Sequence, residues 1–164
     1  MNTVTEKYLI FKVDEEYALD VGNVIEIIEM TDITRVPDAP EYVTGIINLR
    51  GHVVPVIDMR KRFRKPKFAD SSARCIVIAE IDDNMLGLIV DTVVDLIDID
   101  SGLIKEPPRV GTSFAYVFVK GIGIIAEKMH LIIDADKLIN YNDLNFMEHE
   151  SEESSHDSDS KQEE

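Results

Sequence analysis

The run Gly45-Ile46-Ile47-Asn48-Leu49-Arg50-Gly51-His52-Val53-Val54-Pro55-Val56-Ile57-Asp58 sets the fold. Two aliphatic, β-branched stretches of strand length flank Arg50-Gly51. This predicts a β-hairpin with a tight turn, Gly51 supplying positive φ where the turn needs it. Pro55 has no N–H for a ladder, so its strand lies at an edge or carries a bulge. Asp58 follows as a candidate N-cap for a short turn through Met59-Arg60-Lys61. The pattern then returns. Gly121 to Lys137 aligns without gaps onto Gly45 to Lys61, with identities at Gly45/Gly121, Ile46/Ile122, Ile57/Ile133, Asp58/Asp134 and Lys61/Lys137. By the same logic Asp134 caps a short helix, Ala135 to Ile139.

Outward from that hairpin, strand signals dominate. Tyr8 to Val13 is aromatic and β-branched, stops at Asp14-Glu15-Glu16 and restarts at Tyr17-Ala18-Leu19-Asp20. That reads as another hairpin. Val21 to Val24 suits a single helical turn, and Ile25 to Met30 a strand with interleaved acids. Pro37-Asp38-Ala39-Pro40 is a loop. Cys75 to Ile81, a turn at Asp82-Asp83-Asn84, and Met85 to Val90 repeat the first hairpin. Val93-Val94-Asp95-Leu96-Ile97-Asp98-Ile99 repeats the apolar and acidic order of Val24-Ile25-Glu26-Ile27-Ile28-Glu29-Met30. A duplicated β unit accounts for both coincidences, and about five short strands per unit suit a small closed barrel. The expected class is therefore all-β. Two tandem, intertwined five-stranded β-barrel subdomains span roughly 8–68 and 72–141 within one domain, 1–144, with a short C-terminal helix. One large antiparallel sandwich is the alternative.

Composition bounds the function. The 164 residues are 45% hydrophobic, enough for a real core, and carry a net charge of −15. That acidity opposes broad binding to nucleic acid or anionic membrane. One cysteine forms no internal disulfide, and no apolar run is long enough to span a bilayer. No signal-peptide pattern opens the chain, so a cytoplasmic location is expected. From Asn145 to Glu164 there are eight acids and one lysine, with few large apolar side chains. Such a segment cannot offset its ordering entropy, and 145–164 is expected to be a disordered acidic tail.

A search for chemistry finds no nucleophile elbow, phosphate loop or zinc-protease signature. Gly121-Ile122-Gly123 lacks a third glycine and sits in a strand. Cys75 opens an apolar strand, where a buried thiol is inert. His52 and His130 occupy near-equivalent hairpin positions without a metal-spaced partner; they are the only handle for an enzyme reading. No cofactor is called for. Arg60, Lys61, Arg62, Arg64, Lys65 and Lys67 surround Phe63 and Phe68. This cluster is either a solvated linker, a patch for an acidic protein, or a single-strand nucleic-acid surface on a tandem barrel. Asn48-Leu49-Arg50-Gly51 is the other singular feature. Arg50 at a hairpin tip presents a planar donor fork suited to a carboxylate or carbonyl of a partner, the alternative being an ordinary turn held by Asn48.

With Tyr8 to Val13, Tyr17-Ala18-Leu19-Asp20-Val21, Val24 to Ile28, Arg35 to Gly51 and Val54 to Arg60, the chain resembles the CheW family of chemotaxis coupling proteins. The resemblance runs from about Lys7 to Tyr141 and leaves the acidic tail outside. It implies two SH3-like barrels and a non-catalytic adaptor between the cytoplasmic tip of a chemoreceptor and the regulatory domain of the histidine kinase CheA, at membrane-associated receptor arrays. No nucleic acid and no membrane insertion are implied, and the isolated chain is expected to be monomeric. The family's contact positions fall on Glu26, Gly45 and Arg50, with Asn48, Leu49 and Gly51 in the same turn. Val24, Ile28, Val93 and Val94 are candidates for lining a groove that takes a receptor helix. The matching turn in the second unit, Ile124-Ile125-Ala126-Glu127, has no arginine, so the two units should differ in role.

Overall fold

Apolar residues run without interruption through several strands, and the reason is that both faces of those strands are buried. The computed structural model describes residues 4–66, 74–108 and 114–139. The strands are β1 (Thr5–Val13), β2 (Glu15–Asp20), β3 (Val24–Glu29), β4 (Val43–Leu49), β5 (His52–Asp58), β6 (Cys75–Ile81), β7 (Asn84–Val90), β8 (Thr92–Asp100), β9 (Ile104–Lys105), β10 (Val119–Ile125) and β11 (Lys128–Ile133). One short helix, α1 (Met59–Arg62), follows β5. The strands form a six-stranded sheet, β8-β1-β2-β11-β10-β9, and a five-stranded sheet, β3-β6-β7-β5-β4. The two expected barrels are these two sheets, but they do not divide the chain at 68–72. Each hairpin is exchanged. β1-β2 joins the strands of the second repeat, and β6-β7 joins β3, β4 and β5 of the first. The parallel pairs β2–β11 and β5–β7 make the exchange together with the antiparallel pairs β1–β8 and β3–β6.

Alternation along a strand then supplies three cores. Tyr8, Ile10, Ala18, Ile99 and Ile132 fill the six-stranded unit. Ile47, Leu49, Val54, Val56, Ile76, Ile78 and Ile89 fill the five-stranded one. The intervening residues Leu9, Phe11, Val13, Val77, Ala79, Leu86 and Leu88 point the other way, into a larger core between the units. An aromatic column crosses it. Phe11 lies 5.9 Å from Tyr17, Tyr17 4.9 Å from Phe63, and Phe63 5.3 Å from Phe118, between ring centroids.

Local expectations largely hold. Asp20 accepts from the Gly22 N–H and opens a 3-10 turn at Val21–Asn23. Asp58 accepts from the Arg60 and Lys61 N–H groups at the start of α1. Pro55 pairs with Ile46 of β4, while the pairing of β5 with β7 begins one residue later, so proline sits where its strand has one neighbour. The C-terminal helix is shorter than expected, a single 3-10 turn at Ala135–Lys137 capped by Asp134. β2 also starts earlier, because Glu15 and Glu16 find cations in Lys65 and Lys128 and need not end the strand.

The basic cluster is in part built into the fold, while Lys61 and Arg64 are exposed. Arg60 is buried and paired with Asp91, Arg62 donates to main-chain carbonyls, Lys65 meets Glu15, and Phe63 is in the shared core. A nucleic-acid surface would need its cations turned outward, and protein acceptors hold Arg60, Arg62 and Lys65. Lys67, Phe68 and the expected tail, 145–164, lie outside the described residues.

Candidate functional site

The β4–β5 turn builds the site. Arg50 and Gly51 both have left-handed backbones, φ 50° and 88°, as a two-residue hairpin turn of this hand requires. Glycine adopts this without cost, whereas arginine at such a position costs on the order of 1 kcal/mol. The Asn48 side-chain oxygen accepts from the Gly51 N–H at 2.8 Å and closes the turn. The tip throws the Arg50 side chain into solvent, 68% exposed.

Arg50 does not point away from the molecule. Its guanidinium donates to Glu26 Oε1 at 2.5 Å. Hydrogen bonding to that carboxylate, with its charge, raises the guanidinium pKa, so the group is a fixed cation. Glu26 comes from β3, the edge of the five-stranded sheet opposite β4. The pair therefore bridges the seam where the sheet's two ends meet. Lower on the seam, Thr34 and Ile46 exchange two main-chain bonds, N to O 2.9 Å and 2.8 Å. Gly45 sits beside them with φ 156°, and a Cβ there would lie 2.1 Å from the Thr34 carbonyl oxygen. The glycine is thus required by a close backbone approach. The site candidates divide accordingly. Glu26, Asn48, Arg50 and Gly51 reach the surface, while Gly45 and Leu49 are buried supports.

The four groove candidates do not share one surface. Val24 and Val93 pack on the core between the units, Ile28 turns into the five-stranded unit, and Val94 is 48% exposed. A register shift in β3 at Ile25, and its counterpart in β8 at Val94, explains the split, because a bulge flips the faces of the residues after it. The exposed apolar side chains beside Glu26 are Ile25 and Ile27, with Val94 and Leu96 at the equivalent places in β8. The repeated apolar and acidic order was the available signal; the bulge was not visible in it.

The second unit keeps the geometry and changes the chemistry. Its β10–β11 turn also has two left-handed residues, Ala126 at φ 47° and Glu127 at φ 68°. The equivalent of Glu26 is Asp95, which accepts from its own neighbour, the Leu96 N–H, at 2.7 Å. The two turn residues here offer Asp95 no cation.

The remaining ionisable candidates offer no catalytic set. His52 is exposed and His130 buried, and burial, then the nearby Lys128, pushes the His130 pKa down. The Cys75 thiol is half-buried and pushed up by desolvation, as for an inert thiol. Among the described residues no three His, Cys, Asp or Glu side chains gather as a metal site would need, and no helix is long and apolar enough to cross a membrane.

Comparison with known proteins gives the same picture. The CheW-like domain model matches residues 7–143. The chain is 35% identical to the chemotaxis protein CheW of Bacillus subtilis (strain 168), covering 82% of this chain and 86% of that one. It is 34% identical to CheW of Thermotoga maritima, covering 80% and 85%. Among solved structures it is similar to the scaffolding protein TtCheW of Thermoanaerobacter tengcongensis, with a TM-score of 0.75, 41% identity, and coverage of 82% and 92%. A duplicated, hairpin-exchanged β fold, matched by the family model over residues 7–143, places the chain in the CheW family, the non-catalytic scaffolding proteins of chemotaxis.

Proposed function

We propose that this scaffold couples the cytoplasmic tip of a chemoreceptor to the regulatory domain of the histidine kinase CheA, in the cytoplasm at membrane-associated receptor arrays. The observation that carries the reading is the Arg50–Glu26 pair. Arg50 accepts backbone strain to stand on a surface tip, and exposed ion pairs contribute only about 0–1 kcal/mol to stability. A pair that costs strain and adds little to the fold is well suited to binding. Flanked by exposed Ile25 and Ile27, it offers an apolar helix both a hydrophobic contact and a charged rim. Gly45 and Leu49 act on that surface from beneath, by holding β4 against the seam. The kinase domain, which shares this fold in the family, would meet the barrel ends. The signal passes as a change in the placement of receptor and kinase on the scaffold.

The test is receptor-dependent kinase activation in a reconstituted mixture of receptor tip, kinase and this protein. Arg50→Ala abolishes activation while the variant unfolds at nearly the wild-type urea concentration. Full activation by Arg50→Ala would remove the assigned role of the turn.

A further inference from the structure

Helix α1 and the residues just after it belong by sequence to the five-stranded unit, yet they grip the other one. Arg60 donates through Nε to Asp91 Oδ1 at 2.8 Å and through a terminal nitrogen to Asp91 Oδ2 at 2.9 Å. It also pairs with Asp14 and donates to the Pro66 carbonyl. Asp91 is the one residue between β7 and β8, where the chain crosses from one unit to the other. Its own N–H donates to the Lys12 carbonyl, and its Oδ2 accepts from the Asp14 N–H. Two residues along, Arg62 donates to the Leu138 carbonyl at 2.7 Å and the Lys137 carbonyl at 3.2 Å, behind β11. Its guanidinium lies over the rings of Tyr42, 4.2 Å, and Phe118, 4.9 Å, one from each side of the boundary.

The core between the units is apolar, and apolar contact has no preferred direction. It holds the units together and leaves their angle weakly specified. A desolvated, bidentate Arg–Asp pair has one geometry. We infer that Arg60 and Arg62 form the joint that sets the angle between the two units, and that they are positioning residues for coupling, outside any partner surface. The partners named above do not include Glu26 or Arg50, so the joint can be weakened with the proposed binding site intact. The functional half of this inference rests on the adaptor reading, while the geometric half does not.

The test uses the full chain with Cys75→Ser and spin labels at Glu80→Cys on β6 and Lys120→Cys on β10, both exposed and one on each unit. Pulsed electron resonance reads the distance between them. The parent gives one narrow distribution. Arg62→Ala and Asp91→Asn broaden or shift it, and Arg60→Lys, which keeps the charge without the fork, falls between. In the reconstituted mixture the same variants bind receptor tip and kinase as the parent does, while activation falls roughly tenfold. An unchanged distribution in both variants overturns the joint. A broadened distribution with full activation overturns its role in coupling. If the parent itself fails to couple, the adaptor reading falls, and the distances still decide the joint. Arg62→Ala keeps the test open should Asp91→Asn fold poorly, because the hydrogen bonds of Arg62 go to main-chain carbonyls.

Discussion

The β4–β5 tip and the β10–β11 tip are the same device built twice. Both are two-residue turns with left-handed backbones at both positions, and each has a matching acid on a bulged edge strand, Glu26 or Asp95. One tip carries Arg50 and closes an ion pair over its seam; the other carries Ala126-Glu127 and has no cation to offer its acid. Duplication preserved the backbone and let the side chains diverge. The second tip forms without such a pair, and under the proposed function the pair at the first tip is the partner contact.

The largest effect should come from the buried support of the first seam. Gly45→Ala drives a methyl into the Thr34 carbonyl and should cost about 3 kcal/mol or more, read as a lowered urea midpoint. At the equivalent Gly121 a Cβ would lie 3.1 Å from the Ile104 side chain, which can move, so Gly121→Ala should cost about 1 kcal/mol or less. Equal losses would show that the two seams are built alike. A smaller effect of opposite sign tests the strain. Arg50→Gly and Ala126→Gly each relieve a left-handed residue and should raise stability by up to about 1 kcal/mol. Only Arg50→Gly should lose kinase activation. If neither raises the urea midpoint, the turns are not strained.

The smallest effect separates the units by pH. His130 lies in the six-stranded unit, with its pKa lowered by burial and then by Lys128, while the Glu16 carboxylate opposes the shift. A base held neutral in the fold binds more protons when unfolded, so stability should decline as pH falls below the ordinary imidazole range. His130→Gln should flatten that decline. Urea midpoints on either side of the ordinary imidazole pKa, about 6.5, would show it.

Much of this fold was legible in the chain. The hairpins, the caps at Asp58 and Asp134, and the duplication rest on local chemistry that neighbours a few residues apart decide. The subdomains were expected to be intertwined, but which hairpin joins which unit was not legible, because Leu9 and Val77 read as apolar whichever unit they join. The basic run Arg60 to Lys65 misled for a related reason. Charge density in sequence suggests solvent, and only the fold brings Asp91 and Asp14 to Arg60 from other elements. At the site, Arg50 and Glu26 could be singled out, but their mutual pairing spans 24 residues and depends on how the sheet closes.

The decisive experiment is capture of a chemoreceptor tip and the kinase by four immobilised forms of the full chain: parent, Arg50→Ala, Glu26→Ala, and the mirror double variant Asp95→Ala with Glu127→Ala. The parent and the mirror variant should retain the receptor, while Arg50→Ala and Glu26→Ala should lose it. Equal loss from the mirror variant, or full retention by both seam variants, would refute the assignment of the receptor contact to the β4–β5 tip.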